Sequence, residues 1–124
     1  MDALKIKPSL NTLEVSLDAQ TGQLLFSGRS YPENSGGFFK PISDWIESYA
    51  QNPAPKTVCS FTIEYFNSAS RKSIMEIFRA LESIHKINRG VTVIWNHEED
   101  DEGMRETGEE YKNLFKLDFQ FNRI

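Results

Sequence analysis

No intrachain disulfide can form in this chain, because Cys59 is its one cysteine. A small secreted scaffold stapled by disulfides is therefore excluded. Histidine is nearly as scarce, and His85 and His97 with Cys59 make too few ligands for a zinc site. Apolar runs are short. None approaches the roughly 18 residues of a membrane span, and the segment Met1-Asp2-Ala3-Leu4-Lys5-Ile6-Lys7 lacks the continuous apolar stretch of a signal peptide. The sequence reads as a cytoplasmic protein with no membrane insertion. Positive charge is also in deficit, with 14 Lys and Arg against 18 Asp and Glu. Eight of those acids and a single base fall between Glu98 and Glu110, a balance that argues against nucleic acid as a partner.

What is present suits one packed core. Hydrophobic residues make up 39% of 124 positions and aromatics 12%, enough for a single domain over residues 1–124. Leu13, Val15 and Leu17 alternate in a first strand, and Gln23 to Gly28 forms a second, joined by the turn formers Asp18 to Gly22. Leu4 to Lys7 is a candidate edge strand before the break at Pro8. From about Gly37 to Gln51, Phe38, Ile42, Trp45, Ile46 and Tyr49 recur at helical spacing, with Pro41 in the first turn.

Lys56 to Phe66 is a long β run in which Cys59, Phe61, Ile63 and Tyr65 share the apolar phase, making Cys59 a core residue. Ala69 to Asn88 predicts a helix with Ile74, Ile77, Phe78, Leu81 and Ile84 on one face, stopped by Gly90. Val91 to Trp95 reads as a strand buried in a sheet covered on both faces. A third helix is expected from Met104, Tyr111, Leu114 and Phe115, weakened by Gly103 and Gly108. A last strand, Lys116 to Asn122, turns Leu117, Phe119 and Phe121 inward.

Hairpin first, then strands alternating with helices, defines the α/β class: a mixed sheet of five to six strands with about three helices. Parallel strands share an edge, so Arg29 to Gly37, Asn67 to Lys72 and Asn96 to Glu102 should gather there, where ligands and partners dock in open sheets.

Each stretch on that edge has more than one reading. Asn67 or Ser68 is a helix cap. A serine in the first helical turn also suits a phosphate, because free N–H groups and the positive dipole end favour a dianion, and Arg71 and Lys72 follow within a turn. As an enzyme, Ser68 would be a nucleophile with His97 as base and Asp100 or Asp101 orienting it, but Phe66 and Ser70 replace the glycines of a nucleophile elbow. His85 reads as a boundary residue. The run Glu98 to Glu102 lacks the alternating ligands and central glycine of a calcium loop and reads as the solvated acidic start of a helix. No metal and no cofactor is expected. In "GRSYPENSGG", Asn34 or Ser35 caps the next helix, while Tyr31 and Pro32 offer a rigid contact surface for a protein.

Three segments together resemble the SiaC family of bacterial regulatory phosphoproteins: "SGRSYPENS" at 27–35, "EYFNSASRKSIMEIF" at 64–78 and "VIWNHEEDDEGMRETGEEY" at 93–111. The similarity spans almost the whole chain. It implies a STAS-like fold and a non-enzymatic switch. The unphosphorylated protein would activate a diguanylate cyclase in cyclic-di-GMP signalling, a Ser/Thr kinase would block this, and a metal-dependent phosphatase would restore it. By position the phosphoacceptor is Ser68, with Asn67, Arg71 and Lys72 around it and Tyr31, Pro32, Glu33, Asn34 and Ser35 as the partner surface. Where the family pattern reads N-T-S-S, this chain has Ser68 and Ala69, which leaves Ser70 as the other acceptor. An anti-sigma-factor antagonist that captures an anti-sigma kinase is the alternative.

Overall fold

A computed structural model describes residues 1–124. Six strands and three helices follow in the order β1 (Leu4–Ile6), β2 (Glu14–Asp18), β3 (Gln23–Ser30), α1 (Ser35–Gln51), β4 (Lys56–Phe66), α2 (Ser68–Lys86), β5 (Gly90–His97), α3 (Glu102–Leu114) and β6 (Asp118–Arg123). The sheet has the order β1-β2-β3-β4-β5-β6, antiparallel through β3 and parallel from there on. The expected mixed α/β architecture is observed, including the edge strand. No helix is long and apolar enough to cross a membrane.

Spatial order equals chain order, and crossovers of one hand between successive neighbours put their helices on one face of the sheet. Burial follows. Val91, Val93 and Trp95 are buried, whereas Thr92, Ile94 and Asn96 between them stay partly exposed. The expectation of a sheet covered on both faces is therefore wrong. Ile94 lies in register with Ser60 and Gln120 on an open, largely polar face, so an unbroken apolar run need not mean two-sided burial. Across that face Asn96 Nδ2 donates to Thr62 Oγ1 at 2.9 Å and Asn122 Nδ2 donates to Asn96 Oδ1 at 3.0 Å.

On the covered face the core is rich in aromatic rings. Phe61 stacks on Phe26 at 4.9 Å between centroids, and Phe78 reaches Tyr111 at 4.9 Å and Phe119 at 5.3 Å. Cys59 is buried there as expected, and burial pushes its thiol well above the ordinary range.

Three further expectations are corrected by local geometry. Tyr65 is 49% exposed, because the β3–β4 register shifts between Gly28 and Arg29, and the chain after Ile63 changes phase. Phe66 takes the inward place. Gly28 accommodates this irregularity with φ of +112°, a conformation open to glycine at little cost. The stop after α2 is Asn88 at φ 62°, while Gly90 opens β5. At the start of α1 Phe39 is buried beside Trp45 and Tyr49 while Phe38 is only half-buried, and after α3 Leu114 is exposed although Phe115 is buried as expected.

Candidate functional site

The C-terminal ends of β3, β4 and β5 lie along one edge, and the β4-to-α2 junction is at its centre. Asn67 donates its N–H to Ser30 O at 3.0 Å, locking the junction to the end of β3. Its side chain then accepts from Ser70 N at 2.9 Å, so Asn67, rather than Ser68, is the cap. Ser68 is the first residue of α2 and is exposed. Two positions on, Ser70 is fully buried. Its hydroxyl donates to Ser30 O at 3.1 Å, and since it has a single hydrogen, Ser30 Oγ is the donor across the 2.7 Å contact between the two hydroxyls. Ser30 was not singled out from the sequence; its inward phase with Leu24 and Phe26 is the signal that could have found it.

The neighbouring loop is held in place by Tyr31 N, which donates to Asn11 O at 2.9 Å, and ends where Asn34 Oδ1 accepts from Gly37 N at 3.0 Å. Asn34 caps α1, and Ser35 is the first helical residue. Tyr31 meets Tyr65 edge-on at 5.8 Å, with the Arg29 guanidinium 5.8 Å from the Tyr31 ring. The displaced Tyr65 therefore enlarges the surface formed by Tyr31, Pro32, Glu33 and Asn34. Between the starts of α1 and α2 lies an open depression of ≈ 300 Å³ lined by Ser35, Gly36, Ala69, Lys72, Ser73 and Glu76.

The two cations after Ser68 have different surroundings. Lys72 is exposed. Arg71 Nη2 donates to Thr107 Oγ1 at 3.1 Å and lies 3.6 Å from Glu110, while its guanidinium sits 5.4 Å from the Phe66 ring. Tyr111 donates to Arg71 O at 3.1 Å. Burial raises the Tyr111 phenol to about 12, with the Arg71 charge opposing the rise. The acid that meets Arg71 thus comes from α3 rather than from the 98–102 run. Pairing in the sheet explains the offset: β5 is last in register with β4 at Thr62, four residues before Phe66.

At the end of β5, His97 Nδ1 lies 2.9 Å from Glu98 O, and Asp101 Oδ1 accepts from Met104 N at 3.0 Å as the cap of α3. His97 Nδ1 and Asp101 are thus engaged elsewhere than with each other, which leaves a Ser68–His97–Asp101 relay without its orienting bond. What the edge offers is an exposed hydroxyl on a rigid, capped helix start beside an aromatic surface.

The fold and this edge define an α/β regulatory domain of the phosphoprotein class, the class described by the family model that matches residues 6–124. The chain belongs to the SiaC family of regulatory phosphoproteins. It is 31% identical over 112 residues to an uncharacterised protein of Pseudomonas aeruginosa, covering 90% of this chain and 89% of that one. Two structures of Pseudomonas aeruginosa proteins align closely. Apo-SiaC matches with a TM-score of 0.89 at 29% identity, covering 98% of this chain and 99% of that one. SiaC as the activator in complex with the diguanylate cyclase SiaD matches with a TM-score of 0.91 at 29% identity, with the same coverage.

Proposed function

We propose that this chain activates a diguanylate cyclase by binding it, and that a phosphate on Ser68 turns the activation off. The observation that carries the reading is the contrast between two hydroxyls in one helical turn. Ser68 is exposed at the first position of α2, whereas Ser70 is buried and bonded to Ser30. A Ser/Thr kinase can reach the first and not the second. The likeness to SiaC in its complex with SiaD supports the choice of a cyclase over an anti-sigma kinase as target.

In this reading the chain is not an enzyme and needs no cofactor of its own; it works in the cytoplasm with a kinase and a metal-dependent Ser/Thr phosphatase. A phosphate adds a charge of about -1.5 to -2. At the start of α2 it meets free N–H groups and no acidic side chain in the first turn, so the fold tolerates it. The docking surface does not. Tyr31, Pro32, Glu33, Asn34, Ser35 and Tyr65 form the proposed contact, and a dianion beside them costs desolvation and repels an acidic or apolar partner. Lys72, exposed one turn along, is the cation best placed to pair with it.

The test is reconstitution with the diguanylate cyclase of the same organism, reading cyclic-di-GMP formation. Wild type and Ser68→Ala should activate equally. Ser68→Asp and authentic phosphoprotein should need roughly tenfold more protein for the same rate, with melting not lowered. Equal activation by phosphoprotein and Ser68→Ala would overturn the switch; no activation by wild type would overturn the choice of target.

A further inference from the structure

The connection between β1 and β2 reaches the same edge of the sheet as Ser68. Because β1 pairs antiparallel with β2 and β2 antiparallel with β3, the chain after Ile6 turns where β3 ends. The bond from Tyr31 N to Asn11 O fastens this loop to the segment that follows β3. Leu10 stands in the loop and is 79% exposed, more than any other large apolar side chain of the protein.

Two features separate Leu10 from an ordinary surface leucine. The first is rigidity. Ser9 N donates to Thr12 O at 3.1 Å, Thr12 N donates to Ser9 Oγ at 3.1 Å, and Ser9 Oγ donates to Asn11 Oδ1 at 3.1 Å, so the backbone on both sides of Leu10 is tied. A side chain carried on a loop already held in shape loses little freedom when it is bound. The second is its surroundings. No charged residue lies between Pro8 and Leu13, and the loop is bonded to the segment that carries Tyr31 and Pro32, with Tyr65 edge-on to Tyr31. Surface poor in charge and rich in aromatic rings has the composition of the buried centre of a protein interface.

Leu114 provides the contrast. It is 62% exposed at the end of α3, which runs from β5 to the start of the parallel β6 and so finishes on the opposite edge of the sheet, and it sits between Lys112 and Lys116 in the chain. An apolar side chain standing singly among charges is common on any protein surface. We propose that Leu10 is an apolar anchor of the partner contact, entering an apolar recess on the cyclase beside Tyr31 and Tyr65. The recess is apolar because the loop has no charge to pair with one: a charged group pressed against Leu10 would lose water and gain nothing in return. This anchor presupposes the cyclase target proposed above and widens its contact surface from the 31–35 segment to the β1–β2 loop.

The experiment is the reconstitution with the diguanylate cyclase of the same organism, with cyclic-di-GMP formation followed as unphosphorylated activator is titrated in. Leu10→Ala should need roughly tenfold more protein than wild type for half-maximal activation, reach the same maximal rate and melt as wild type does. Leu10→Met keeps the apolar volume and should stay within about threefold. Leu114→Ala, the control on the opposite edge, should titrate like wild type. Activation by wild type with an unchanged midpoint for Leu10→Ala overturns the anchor and leaves the cyclase as target, and an equal loss in Leu114→Ala overturns the anchor as well. If sedimentation shows a wild-type dimer that Leu10→Ala dissolves, the occupant is a second copy of this chain and the proposal falls. No activation by wild type overturns the target and the anchor together.

Discussion

The starts of α2 and α3 are built with the same device and differ in charge. In both, an Asn or Asp side chain accepts the N–H three residues on, at 2.9 Å from Asn67 and 3.0 Å from Asp101. Glu102 then occupies the first turn of α3 at the end of an acidic run, while the first turn of α2 holds no acid and leads into Arg71 and Lys72. The positive end of α3 is answered by carboxylates of its own chain. That of α2 has no acid in its first turn, which leaves room for the phosphate proposed on Ser68. A cap alone therefore does not tell how readily a helix start takes an added negative charge; the charge of the turn behind it matters as well.

The largest way to break this comparison is to move α3 away from α2. A Cβ on Gly108 would lie 2.5 Å from Trp95 and 2.8 Å from Phe121, so Gly108→Ala must displace the helix that holds Arg71 through Thr107 and Glu110. The expected loss is about 2 kcal/mol in urea unfolding, although alanine is favoured over glycine by about 1 kcal/mol in an open helix. Gained stability would mean that α3 is free to shift.

Alkali probes the same contact more gently. The folded Tyr111 phenol keeps its proton to about 12, against 10.0 for an ordinary tyrosine. A raised folded value contributes stability that is complete below about pH 10 and lost as pH rises toward 12. The loss should amount to about 2 kcal/mol, and Tyr111→Phe should flatten that part of the stability profile. An unchanged slope would place the phenol in water instead.

The caps come next. Asn67→Ala and Asp101→Ala should each cost about 1 kcal/mol, since both remove a partner from one N–H of a helix start. Ser68→Asp and Glu102→Gln form the finest test. The first should stabilise the fold by about 0.3–1 kcal/mol and the second should destabilise it by a similar amount, both fading in about 1 M salt. If Ser68→Asp lowers the melting temperature, α2 does not favour an anion and the comparison fails.

Much of this was legible in the sequence because strong periodicity fixes elements. Ile74, Ile77, Phe78, Leu81 and Ile84 announce α2, and all five are buried; β4 has the expected bounds. Less was legible where one residue changes phase. Nothing in "IEYFNS" shows that the register with β3 shifts there, turning Tyr65 out to meet Tyr31. The difference between Ser68 and Ser70 likewise depends on Ser30, forty residues away and brought alongside by pairing of β3 with β4. Side-chain type named both serines as candidates; tertiary packing separates them.

The plain strand order also bears on how the chain is made. Every strand after the first pairs with the one synthesised before it, and none must be inserted between strands already joined. On a ribosome the sheet can grow in one direction, each helix settling on the strands behind it as it emerges. The junction at Ser68 is then complete only once β3 and β4 are side by side, so its folded shape exists only on a chain whose central sheet has already formed.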